Sequence, residues 1–127
     1  MDLELASSPD AAAAARMALD GLAERVPAGR MRDLRLLVSE LVTNAVRHAG
    51  LRRDDRIRLV VAVRESDVRV EVHDPGRGFT QRAPRPDPAR TSGWGLYLVD
   101  ELADRWGVEG AGRGTRVWFE FDGAGQG

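Results

Sequence analysis

The apolar residues of this chain change period along its length, and each change marks an element. Leu34, Leu37, Val38, Leu41, Val42 and Ala45 recur at spacings of three and four. That spacing predicts a helix over residues 30–49, stopped by Gly50. An earlier helix is expected over residues 9–25, with Ser8 as N-cap, Pro9 as first helical residue, and Pro27 and Gly29 ending it. The period then falls to two. Residues 56–63 and 68–73 read as antiparallel neighbours joined by a turn at Glu65-Ser66-Asp67. A third helix is expected over residues 95–104, with Leu96, Leu98, Val99 and Leu102 in the core. Residues 106–109 and 115–121 form a closing hairpin across a glycine-rich turn, and residues 2–5 fit a short edge strand. This count predicts an α/β two-layer sandwich, with three helices on one face of a mixed, mostly antiparallel sheet.

Composition narrows the classes. With 127 residues, 43% of them hydrophobic and 31% charged, the chain is one globular domain rather than a disordered one. The domain is expected to span residues 1–122, leaving a disordered glycine-rich tail at 123–127. A net charge of -1 gives no reason to expect nucleic acid or an anionic membrane as partner. The absence of cysteine excludes disulfides and thiolate zinc sites, and two histidines make a histidine-rich metal site unfavourable. The first ten residues lack the basic-then-apolar order of a signal peptide. The alanine run at 11–15 is too short to cross a bilayer and is broken by Arg16. A soluble cytoplasmic protein is the expectation. Every basic residue is arginine, so a Walker loop with its phosphate-reaching lysine is excluded.

Three short motifs in fixed order carry the candidate chemistry. SELVTNAVRH holds Glu40 and Asn44 four residues apart, so they share a helix face on the margin of the apolar stripe. An amide oxygen there suits a hard cation such as Mg²⁺, and a carboxylate can accept a proton from an attacking hydroxyl. VEVHDPGRGF places Asp74 at the end of a strand, followed by Gly76 and Gly78. A carboxylate can accept a hydrogen bond from an exocyclic amine, and glycines let the backbone approach a flat ring. SGWGLYLVDELADRWGV places Gly93, Trp94 and Gly95 before a helix, whose free N–H groups favour phosphate. Each motif also has an ordinary explanation: a solvated helix face, an Asp-Pro-Gly turn, a glycine pair before a helix. Trp94 packs either on a ligand or on the second helix. Thr115, directly after Gly114, could reach Asp74, although a strand threonine needs no such role. His48 reads as a packed or exposed histidine, and His73 as facing away from the core. A dinucleotide fingerprint is rejected, because its third glycine would fall at Gln81. Residues 75–93 hold four prolines, four arginines and three glycines, a loop long enough to suspect a function. Of Arg82, Arg85 and Arg90 within it, one is expected to grip phosphate.

Taken jointly and in order, the motifs resemble those of the Bergerat-fold (GHKL) ATPases, the group that includes gyrase-type, histidine-kinase and MutL-type domains. The likeness covers residues 30–121 strongly and the first helix loosely. SELVTNAVRH and GWGLYLVDELADRWGV look like the stand-alone anti-sigma factor serine kinases of actinobacteria. That resemblance implies a histidine-kinase-like ATPase domain binding ATP and Mg²⁺. It implies Asn44 at the metal, Glu40 as base and Asp74 at the adenine amine, with Gly76 and Gly78 against the ring. It also implies Gly93 and Gly95 on the phosphate side, Thr115 supporting Asp74, and Arg47, Trp94 and Leu96 beside the nucleotide. The implied partners are an anti-anti-sigma protein of the STAS type and a sigma factor, and homodimers are common among such proteins. The alternatives are an ATP-binding regulatory module without transfer, and an ATPase or detached histidine-kinase catalytic domain. The short, proline-rich loop departs from relatives that fold a large lid, and the lysine some relatives place near the phosphates has no counterpart. No helical hairpin with a phosphoacceptor histidine follows, so a complete sensor kinase is not expected.

Overall fold

A computed structural model of the chain describes residues 1–48, 55–65, 67–75, 95–111 and 114–123. The elements are β1 (Asp2–Ala6), α1 (Ala11–Leu19), α2 (Ala28–His48), β2 (Arg56–Arg64), β3 (Asp67–Asp74), α3 (Gly95–Leu102), β4 (Arg105–Ala111) and β5 (Gly114–Phe121). Strand alternation sorts the residues into layers. Ile57, Leu59 and Val61 of β2, Val68, Val70 and Val72 of β3, and Val117, Phe119 and Phe121 of β5 are all buried. They meet Ala11, Ala15 and Leu19 of α1, Leu34, Leu37, Val38 and Leu41 of α2, and Leu96 and Val99 of α3 in one core. The strand order is β1-β2-β3-β5-β4, and every described pairing is antiparallel. The α/β sandwich with three helices is as expected, its sheet antiparallel throughout the described pairings.

Element ends differ from the expectations for identifiable reasons. The first helix stops at Leu19, not at residue 25, and continues as a 3₁₀ turn over Asp20–Leu22. Buried positions follow at spacings of four from Ala11 to Ala15 to Leu19, then three to Leu22, the period of a 3₁₀ turn. Ser8 caps a turn rather than the helix: its hydroxyl accepts from the Asp10 N–H at 3.3 Å, and helix α1 begins only at Ala11. Pro27 opens α2 instead of closing α1, because its carbonyl accepts from the Met31 N–H at 2.8 Å. Gly29 therefore lies inside the first turn of α2. Helix α3 ends at Leu102; the Asp104 N–H instead donates to the Glu120 carbonyl at 2.9 Å, joining the sheet. Gly123, which the sequence puts in the tail, is buried and donates to Asp67 Oδ1 at 2.7 Å; residues 124–127 lie outside the described residues.

The opposite sheet face is polar and ion-paired. Arg69 bridges Glu71 at 3.0 Å and Glu120 at 2.8 Å, while Arg105 joins Glu120 at 2.8 Å. The Arg69 guanidinium stacks 4.5 Å above the Trp118 ring. Trp118 in turn covers Gly107, where a Cβ would fall 2.7 Å from the indole nitrogen. Hydrogen bonds from Arg105, then Arg69, hold the Glu120 carboxyl below its ordinary range. Among the described residues, no helix is long and apolar enough to cross a membrane.

Candidate functional site

Three buried polar side chains interrupt the core: Asp74 at 4% exposure, Thr115 at 5% and Asn44 at 7%. Among the described residues they are the only polar or charged side chains buried so deeply. Two of them arise from the alternation that builds the core. In β3 the inward series is Val68, Val70, Val72 and then Asp74; in β5 it is Phe121, Phe119, Val117 and then Thr115. The antiparallel register sets Asp74 opposite Thr115. The Oδ2 oxygen of Asp74 is sealed from water. Burying a carboxylate costs stability that partners offset only in part, whereas an aliphatic residue would continue the inward series without that cost.

Helix length carries Asn44 to the same end. Arg30, in the first turn of α2, lies 4.9 Å from the Phe121 ring centroid and 3.5 Å from Asp104. Phe121 pairs with Val68, so this is the end where β3 begins. Asn44 lies fourteen residues further along the helix, or about 21 Å. Asp74 lies six residues along the strand from Val68, or about 20 Å. The helix and the strand therefore bring amide and carboxylate to one end of the sandwich. Helix α3 runs the other way, from Gly95 toward Arg105 at the far end, so its N-terminus points toward the Asp74 end.

Glu40 lies one turn before Asn44 and is half-buried, while Arg47 is exposed on the following turn. Leu96, at the start of α3, is in the core. His73 faces the polar side, where its Nε2 lies 2.8 Å from Glu71 Oε1. Gly76, Gly78, Gly93, Trp94 and the loop arginines Arg82, Arg85 and Arg90 lie outside the described residues, as does the side chain of His48. Gly95 is described as the first residue of α3.

A cleft of about 360 Å³ opens at this sheet end, lined by Arg56, Arg58, His73, Asp74, Gly114 and Thr115. Glu40 and Asn44 are not among its walls, which belong to the strands. Arg56 and Arg58 carried no signal in the sequence beyond charge at a strand start. Arg58 is held by Asp2, to which it donates at 3.0 and 2.6 Å. Gly114 starts β5 hard against the end of β3: a Cβ there would lie 3.2 Å from Pro75 Cα. Its only sequence signal is its place directly before Thr115.

The donor set fits a nucleotide. A buried carboxylate accepts hydrogen bonds and a threonine hydroxyl both donates and accepts, which matches an amine-bearing base edge. A buried amide oxygen on the adjoining helix suits a hard cation held partly by phosphate. The N-terminus of α3 turns the positive end of its helix dipole to the same side.

Comparison with known proteins agrees. The family model described as histidine kinase-like ATPase domain matches residues 5–121. A serine-protein kinase RsbW of Listeria monocytogenes is 29% identical over 116 residues, covering 80% of this chain and 74% of that protein. The serine-protein kinase RsbW of Staphylococcus epidermidis is 27% identical over 119 residues, covering 82% and 75%. The solved structure of the RsbU and RsbW domains of a Mycobacterium tuberculosis protein superposes with a TM-score of 0.71 at 24% identity. It covers 95% of this chain, which spans 32% of that one. A histidine kinase domain from the blue-light activated kinase of Erythrobacter litoralis superposes at 0.62 with 27% identity, covering 90% and 58%. Fold, buried polar trio and family match converge, and the chain belongs to the histidine kinase-like ATPase domain family.

Proposed function

We propose that this chain is an ATP-binding anti-sigma factor and protein-serine kinase. It acts in the cytoplasm on an anti-anti-sigma protein of the STAS type and sequesters a sigma factor when that antagonist is phosphorylated. The observation that carries the proposal is the buried trio Asp74, Thr115 and Asn44 at one end of an otherwise apolar core. The names of the RsbW relatives support serine as the acceptor.

Each residue then has a defined task. Asp74 accepts a hydrogen bond from the exocyclic amine of adenine, and Thr115, its cross-strand neighbour, steadies that carboxylate. Gly76 and Gly78 lie against the ring. The backbone of Gly93 and Gly95 supports the phosphates, with Arg47, Trp94 and Leu96 beside the nucleotide. Asn44 would hold Mg²⁺, which neutralises charge on the transferring phosphoryl group. Glu40 takes the proton from the acceptor serine. The serine oxygen forms its bond to the γ-phosphorus as the bridging P–O bond breaks, and ADP leaves.

Likeness to a histidine kinase domain favours a second reading, in which the domain serves a histidine acceptor on another chain. Incubation with γ-labelled ATP and a candidate STAS protein separates the two. Acid-stable label on a serine is the expected result. Acid-labile label supports the second reading, binding without turnover leaves a regulatory module, and phosphate release alone leaves an ATPase.

A further inference from the structure

Gly114 meets Asp74 more closely than any side chain could. A Cβ built on it lands on the carbonyl oxygen of Asp74, with the Asp74 carbonyl carbon 3.1 Å and Pro75 Cα 3.2 Å away. All three atoms are backbone, so no rotamer change makes room, and the spacing between the end of β3 and the start of β5 must change. The backbone of Gly114 is not left-handed, so the requirement is steric rather than conformational. Gly110 offers a contrast within the same hairpin. It pairs with Thr115 from the other side, yet a Cβ there meets nothing within 4 Å.

The displacement forced by a side chain at 114 acts where tolerance is least. Asp74 is the last residue of β3 and its carboxylate is buried. A shift on the order of an ångström moves an acceptor out of good hydrogen-bond range. A carboxylate facing a base also discriminates: it pairs with a 6-amino group and repels a 6-oxo group. Resting on the nucleotide reading above, we propose that Gly114 is a positioning residue that fixes the depth of the Asp74 carboxylate. It thereby sets selectivity for an adenine over a hypoxanthine base.

The experiment compares wild type, Gly110→Ala and Gly114→Ala, measuring ATP and inosine triphosphate affinity by calorimetry. The ¹³C carboxyl resonance of Asp74 is followed in the nucleotide-free proteins. Wild type is expected to prefer ATP, and Gly110→Ala to keep that ratio within about twofold. Gly114→Ala should remain folded by circular dichroism, lose about tenfold or more of the ratio, and shift the Asp74 resonance. An unchanged ratio, equal weakening of both nucleotides, an unmoved resonance or an unfolded Gly114→Ala chain each overturns the role. Wild-type protein that binds neither nucleotide overturns the nucleotide reading itself, and the selectivity role with it.

Discussion

Where β3 begins, Arg30 stacks on Phe121, the Asp122 N–H donates to Asp104 at 2.6 Å, and Arg25 donates to the Val63 carbonyl at 2.9 Å. Phe119 and Phe121 meet edge to face, 5.4 Å between centroids. These polar groups stay near water and are paired, while among the described residues the buried positions at this end are apolar. Where β3 finishes, the same inward series ends in Asp74 and Thr115, joined by Asn44 from α2. One sheet thus has an end closed by hydrocarbon and an end that keeps three polar groups out of water. That difference is what supports placing the proposed nucleotide at the end where β3 finishes.

Four experiments break or sharpen this contrast. Glu40→Ala should slow serine phosphorylation by roughly 10²–10⁴, the range for a lost general base, with little change in melting temperature. Single-turnover rates within a few-fold of wild type would remove Glu40 from the chemistry. Phe121→Ala attacks the other end and should lower stability by about 3–5 kcal/mol in urea titration. Where folded protein survives, nucleotide affinity should be nearly unchanged; a large loss would mean that the ends are coupled. Asp74→Val should leave the melting temperature unchanged or higher, because an apolar residue replaces a buried carboxylate. It should weaken ATP binding by about 1–3 kcal/mol in calorimetry. A variant that is destabilised and still binds would reverse the assignment.

The smallest effect concerns the polar sheet face. Arg105 and Arg69 hold the Glu120 carboxyl below its ordinary value. Its stabilisation is therefore present above the ordinary glutamate range and is lost as pH falls through the depressed folded value. Glu120→Gln should cost under about 1 kcal/mol at neutral pH and flatten the acid limb of the stability profile, leaving ATP affinity intact. Parallel acid limbs for variant and wild type would show that these ion pairs contribute nothing.

Strands were the most legible elements. Residues 56–63 and 68–73 are extended by a residue or so at their ends, since alternation over a one-sided core leaves little choice of face. The first helix was harder. Its buried residues pass from spacing four to spacing three at Leu19, and a run of alanines hides where that happens. Pro27 stands between two helices, and only its carbonyl, accepting from Met31, assigns it to the second. At the candidate site, residue types and spacing pointed to Glu40, Asn44, Asp74 and Thr115. Gly114 did not stand out, because its approach to Asp74 joins strand ends far apart in the chain. Arg56 and Arg58 alternate onto the face opposite the core, beside His73, and line the cleft on that side rather than the side of Asn44.

By itself, the amino-acid order settled which residues face inward and which helix margin bears Glu40 and Asn44. Those choices follow from periods of two and 3.6, which are local properties of the backbone. Only tertiary structure decided that Asp74 stands opposite Thr115, and that a 21-residue helix ends where a strand does. It alone showed that Gly114 leaves no room for a side chain against the Asp74 backbone. Register and close approach are contacts between distant segments, fixed when the core packs, and no local period encodes them.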